Sequence, residues 1–337
     1  PVAHENISKE EIEVNNHGVD LPILLDQATS VVTTSDAGAG VGYTGIRVRG
    51  SDATRVNVTI NGIPFNDAEG QGVYWVNMPD LSSSTDDIQI QRGVGASTTG
   101  ASAFGASINL STLSTINSNK PYGEISTSYG SFNTLKNTIK VGTGLIDGKW
   151  NFEGRLSKIA SDGFIDRASS DLNSYYFSGS YLGEKTSIQA LVFSGNEKTY
   201  QSWGGTPLRV LDTNQTYNPY SYDNQVDNYT QTHYQLHLTN KPTKRIKLNA
   251  SLHYTRGFGY YESFKDGEAL SDYNLNNIIS TFPSDTVFHI DTVGPNQMDS
   301  TMYITDQDTL EISSSDIINR KWLDNHFYGI VYSAEYN

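Results

Sequence analysis

The sequence contains no cysteine and only 3 methionines in 337 residues. The lack of cysteine excludes disulfide frameworks, thiolate metal centres and a cysteine nucleophile together. Long apolar runs are missing as well. Only 36% of residues are hydrophobic, mean hydropathy is −0.46, and no stretch approaches the roughly 18 apolar residues of a membrane helix. This excludes a helical membrane protein but leaves a transmembrane β-barrel open, because barrel strands alternate lipid-facing and lumen-facing residues and average out as polar. Basic residues are scarce: 23 Lys and Arg against 37 Asp and Glu give a net charge of −14, which argues against a nucleic-acid partner. The deficit is concentrated between Glu262 and Asp316, where eleven acidic residues accompany one base, Lys265. No charged n-region or apolar h-region follows Pro1-Val2-Ala3-His4, so any signal peptide is expected to have been removed or to lie outside this numbering.

Tyrosine is abundant, with 21 residues, and two regimes divide the chain. Residues 1–118 mix elements. Ser8-Lys9-Glu10-Glu11 is a capping box that predicts a short helix to about Asn15, and Asp20-Leu21-Pro22 opens a second, with Asp20 as N-cap. Short strands are expected around 46–49, 55–60, 87–92 and 106–111, giving a small α+β domain. Residues 119–337 read as strands only. Trp150, Phe152 and Leu156 alternate with Asn151, Glu153, Arg155 and Ser157, and the same period of two recurs around 234–238, 246–255 and 328–336. Strands are expected at 121–130, 132–142, 149–160, 174–183, 185–198, 229–240, 244–258 and 322–337. Every second connection is tight, whereas the others lengthen to about 30 and then about 60 residues. Short turns at one end and long loops at the other are the habit of outer-membrane barrels. Eight strands enclose only their own side chains, whereas a domain of that size has a radius of gyration of about 13 Å. If the domain belongs inside the barrel, further strands must follow Asn337, and the chain reads as truncated at its C-terminal end.

Four blocks occur in order ahead of the barrel pattern. They are Ile46-Arg47-Val48-Arg49-Gly50, Thr59-Ile60-Asn61-Gly62-Ile63-Pro64-Phe65-Asn66-Asp67, Ile88-Gln89-Ile90-Gln91-Arg92-Gly93 and Ala103-Phe104-Gly105-Ala106-Ser107-Ile108-Asn109-Leu110. Together they resemble the plug domain of TonB-dependent outer-membrane receptors. Asp223–Tyr229 and the T-H-Y-Q-L-H-L that follows look like the barrel of the same family, in its Bacteroidota iron-uptake branch. The resemblance implies an α+β plug followed by antiparallel transmembrane β-barrel strands, about eight of about 22. It implies no enzymatic activity and no cofactor. It also implies location in the outer membrane, surrounding lipid, coupling to the TonB complex of the inner membrane, and import of a ferric siderophore or other iron chelate. Cobalamin, haem, a glycan or a peptide are alternative cargoes, a surface lipoprotein is a possible partner, and a passive barrel or adhesin is the alternative class. No TonB box is recognisable. The acidic 262–316 segment sits awkwardly with an anionic chelate.

Arg49 and Arg92 match two plug arginines that, in the family, latch onto barrel-wall glutamates, here expected beyond Asn337. Alternatively they cap sheet edges and face water. The glycine-rich loop with Phe65, Asn66, Asp67, Glu69, Gln71, Tyr74 and Trp75 matches a plug apex, and Asp52, Arg55 and the Ala37–Gly45 loop with Tyr43 match the others. These are ligand-binding candidates, with packing against the wall an equal expectation for Trp75. Tyr200 and Trp203 are further candidates, or else part of an interfacial aromatic girdle. His233, His237 and His253 are expected to be hydrated lumen residues. Asp306, Asp308 and Glu311 lack calcium-loop spacing, so no metal site is expected. No catalytic constellation is evident.

Overall fold

A computed structural model describes residues 3–94, 103–112, 120–294 and 297–336, with side chains of 282–308 excepted. It divides into two compact units, Pro1–Tyr261 with Lys321–Asn337, and Glu262–Arg320. The expected domain junction at 118/119 falls outside the described residues.

The N-terminal domain begins with a strand that the sequence reading missed, β1 (His4–Ser8). Helix α1 (Lys9–Asn15) follows with the expected capping box: Ser8 Oγ accepts from Glu11 N–H, and Glu11 accepts from Ser8 N–H at 2.8 Å. Helix α2 (Leu21–Leu24) starts after Asp20, but Asp20 makes no side-chain cap and instead accepts from Thr44 at 3.0 Å. Strands β2 (Val31–Ser35) and β3 (Thr44–Val48) pair as a separate ribbon. The remaining strands are β4 (Val56–Ile60), β5 (Ile63–Pro64), β6 (Asp87–Arg92) and β7 (Ala106–Ser111). They form a five-stranded sheet in the order β1-β6-β7-β4-β5, parallel only between β4 and β7. Every residue of β4 is buried, because Val56, Val58 and Ile60 enter the core while Thr59 bonds Asn109 on its partner.

The wall is an antiparallel array of eight strands, β8 (Tyr122–Tyr129), β9 (Leu135–Gly142), β10 (Trp150–Ser161), β11 (Ser170–Leu182), β12 (Thr186–Tyr200), β13 (Val226–Thr243), β14 (Ile246–Ala269) and β17 (Ser314–Tyr336). They neighbour one another in that order. Short turns join β9 to β10, β11 to β12 and β13 to β14, as the loop parity predicts. The final link differs from the loop of about 60 residues expected from the sequence, since it holds a second hairpin, β15 (Ile278–Gly294) and β16 (Gln297–Ile312). The acidic segment 262–316 is therefore built largely of strands and is not a simple loop.

The wall is inside out relative to a soluble protein. On β10, Trp150, Phe152 and Leu156 are exposed, the last at 54%, while Asn151, Arg155 and Ser157 are buried. Ile125 is 78% exposed on β8, and Phe177, Tyr234 and Leu252 extend the apolar outer face across the array. Inward residues Tyr176, Leu191 and Phe193 join one core with Val58, Phe65, Trp75 and Ile108 of the N-terminal domain. Domain and wall therefore share their apolar interior.

Candidate functional site

Two places where the domain meets the wall stand out. At the first, the chain Met78-Pro79-Asp80 turns through a left-handed residue, with Asp80 at φ 56, to start a 3₁₀ turn at Leu81–Ser84. The turn points the Asp80 carboxylate at β9 and β10, where its side chain is fully buried. Lys136 Nζ lies 2.7 Å from Oδ1 and Arg155 Nη1 3.1 Å from Oδ2. Thr138 and Ser157 donate to Oδ2 at 2.8 and 2.7 Å, Ser83 donates to Oδ1 at 2.6 Å, and Arg155 also donates to the Asp80 carbonyl. Burial alone would raise the carboxyl's pKa, but the charges of Arg155 and Lys136 and the bonds from Lys136 and Ser83 outweigh it, holding it well below the usual carboxylate range.

Arg49 and Arg92, the expected latch residues, take no part in this cluster. Arg49 adopts φ 51, followed by Gly50 at φ 72, so the R-G pair makes a left-handed turn that ends β3. Its side chain is exposed and makes no ion pair among the described residues. Arg92 pairs with Glu5 of the same domain at 2.6 Å and donates to Thr29 O at 3.3 Å.

The second place is a cavity of about 940 Å³ between the wall and two loops of the domain, within the usual size of a small-molecule site. It lies where β12 and β13 reach their long connection, 201–225. Seven expected residues line it: Tyr43, Phe65, Asn66, Asp67, Glu69, Tyr74 and Trp203. Asn66 serves mainly as a brace, accepting from Val58 N–H at 2.7 Å and donating to the Val56 and Gln71 carbonyls, which ties the loop to β4. The other candidates lie elsewhere. Asp52 caps its own 3₁₀ turn through Thr54, and neither it nor Arg55 lines the cavity. Gln71 is absent from the lining, Trp75 is buried in the core against Phe65, and the Tyr200 hydroxyl donates to Tyr222 O.

Wall residues that the sequence reading missed complete the site. Glu197 on β12 and Asp227 on β13 both face inward, since Glu197 pairs with Tyr229 and Thr199 with Asp227 in the antiparallel register. Tyr43 donates its hydroxyl to Asp227 Oδ2. Burial, followed by the charges of Glu197 and Asp227, raises the Tyr43 phenol well above its ordinary pKa and keeps it a donor. His233 is not hydrated as expected. It is buried, stacked 4.7 Å from Phe193 at 8° and 5.2 Å from Phe65, so it splices the apex loop to the wall. His237 bonds Ser251 and Gln235, and His253 lies 5.1 Å from Phe327. Among the described residues no three His, Asp or Glu side chains converge to hold a metal ion.

Residues 1–107 match the family model of the TonB-dependent Receptor Plug Domain. The whole chain is similar to the ferric-catecholate import receptor Fiu from E. coli K12 in its open form, at 14% identity and TM-score 0.63, covering 99% of this chain and 66% of that one. Similarity to the ferric citrate transporter FecA in the unliganded form has 16% identity and TM-score 0.62, covering 100% and 54%. For the siderophore receptor PirA from Acinetobacter baumannii the values are 14%, 0.59, 79% and 41%. The chain thus spans less than two thirds of each of these receptors. The N-terminal domain matches the plug model of TonB-dependent receptors, and the wall has the fold of the barrel strands in these solved structures.

Proposed function

We propose that the chain is the plug and first barrel portion of a TonB-dependent outer-membrane receptor, a non-enzymatic transporter that imports a ferric siderophore or other iron chelate. The observation that carries this reading is the cavity between two plug loops and the inner barrel wall, at the end where the wall's connections are long. A ligand held there touches plug and wall at once, so its binding energy can bias how the plug sits. The exposed apolar outer face supports residence in outer-membrane lipid. Energy is proposed to come from the TonB complex of the inner membrane. The ion pairs at Asp80 resist displacement, and the exposed Arg49 is proposed to latch onto a barrel-wall carboxylate. The test is uptake of radiolabelled ferric chelates by cells with and without the gene, before and after collapse of the proton-motive force. Uptake should require both. Uptake indifferent to the proton-motive force would instead identify a passive barrel, and unchanged growth on every iron source would return cobalamin, haem, glycan or peptide as cargo.

A further inference from the structure

Six carboxylates line the cavity, Asp36, Asp67, Glu69, Glu197, Asp227 and Asp324, and among the described residues no lysine or arginine does. Some are already partnered. Asp324 pairs with Arg256, and Asp67 Oδ1 accepts the backbone N–H groups of Glu69 and Gly70. Glu197 and Asp227 are different. They are 1% and 6% exposed, and Glu197 Oε2 and Asp227 Oδ1 accept no hydrogen bond among the described residues. Buried carboxylate oxygens with open lone pairs are costly, and a cation supplied from outside would relieve that cost. Aromatic rings stand beside them. Tyr43, already bonded to Asp227, meets Trp203 edge-on at 5.1 Å, and Trp203 meets Tyr261 at 6.0 Å. Ring faces beside carboxylates favour an organic cation. A bare metal ion fits poorly, because no three ligating side chains converge among the described residues.

We infer that the cavity takes a positively charged ligand, whose ammonium or guanidinium group docks on Glu197 and Asp227 beside Tyr43 and Trp203. This rests on the importer reading and narrows its cargo. A ferric tris-hydroxamate is neutral at the metal and becomes a cation when it carries a terminal amine. Ferric tris-catecholates are anionic and would meet the six carboxylates at a like-charge penalty.

The test is titration of the purified full-length receptor with four probes. They are ferrioxamine B, which is a linear ferric tris-hydroxamate with a terminal ammonium, its neutral N-acetylated form, an anionic ferric tris-catecholate, and iron-free spermidine. Ferrioxamine B should bind at least about tenfold tighter than its acetylated form, the scale of one charge-assisted contact. The gap should close in Glu197→Gln, and Asp227→Asn serves as an independent variant should the first fail to fold. Equal affinity for the charged and acetylated forms, or tighter binding of the tris-catecholate, overturns the cation inference and leaves the iron-chelate reading standing. Spermidine binding that Glu197→Gln weakens, with no iron complex bound, upholds the cation site and overturns the iron-chelate reading. Binding of none of the four overturns the inference.

Discussion

Asp80 and Glu197 are both buried carboxylates at the seam between plug and wall, yet their surroundings are opposite. Asp80 comes from the plug and finds two cations and three hydroxyls waiting on or beside the wall. Glu197 comes from the wall and finds the charge of Asp227 and an open cavity. A charge matched in the resting protein spends its interaction energy on holding two parts together. One left unmatched holds nothing, and its interaction energy remains available to a ligand. The seam therefore has a fastening end and a receiving end, built from the same residue chemistry.

Removing the fastening charge is expected to have the largest effect. Asp80→Asn leaves Lys136 and Arg155 buried and unpaired, at a cost of about 3–5 kcal/mol. Chemical denaturation should show the loss, and limited proteolysis should cut the plug sooner. Replacing both cations by methionine in the Asp80→Asn background should recover much of it, since an apolar substitute for the whole cluster avoids the stranded charges. The pH dependence follows from the depressed Asp80 pKa. The folded state favours the ionised carboxylate, so its stabilisation is present above the unfolded value of about 4 and is lost as pH falls below that. An acid titration should show this slope in the wild type and not in Asp80→Asn.

A steric change should act next. Gly195 lies on the inward face of β12, two residues before Glu197. An added Cβ there would overlap the Asn77 carbonyl oxygen and the Pro79 ring, so this is where plug backbone rests directly on the wall. Gly195→Ala is expected to cost about 1–3 kcal/mol, as overpacking does. Gly123→Ala on β8, with no atom within 4 Å of its Cβ position, should stay within about 0.5 kcal/mol. Equal melting temperatures for the two variants would show that the plug yields at this contact.

The alternation of Trp150, Phe152 and Leu156 with Asn151, Arg155 and Ser157 was legible in the sequence, because a period of two reports which residues share a face. It does not report what faces them. Lys136 and Arg155 read as inward polar residues on separate strands, and only the β9–β10 register brings them within reach of one carboxylate. Nothing in Met78-Pro79-Asp80 marks Asp80, whose partners lie 56 and 75 residues further along the sequence. Strand ends hid the receiving site. With β12 expected to stop at 198 and β13 to begin at 229, Asp227 reads as loop, whereas the strands reach Tyr200 and Val226 and make it a neighbour of Glu197. The apex loop was legible through its glycines and aromatics, and five of its seven expected residues, Phe65, Asn66, Asp67, Glu69 and Tyr74, do meet the cavity. Arg49 and Arg92 stood out by motif, but the described residues give Arg92 a partner inside the plug.

The smallest effect expected is also the one that separates the two ends most sharply. Glu197→Gln keeps the side chain's shape and replaces the carboxylate by a neutral amide. If Glu197 has no countercharge in the ligand-free protein, the change should leave stability unaltered or raise it by about 1 kcal/mol, opposite in sign to Asp80→Asn. Thermal melting of both variants in the absence of added ligand measures the contrast. A cation supplied during the melt should then stabilise the wild type by mass action and Glu197→Gln less. If Glu197→Gln instead destabilises as strongly as Asp80→Asn, Glu197 is itself a fastening charge, and the division of the seam into two ends fails.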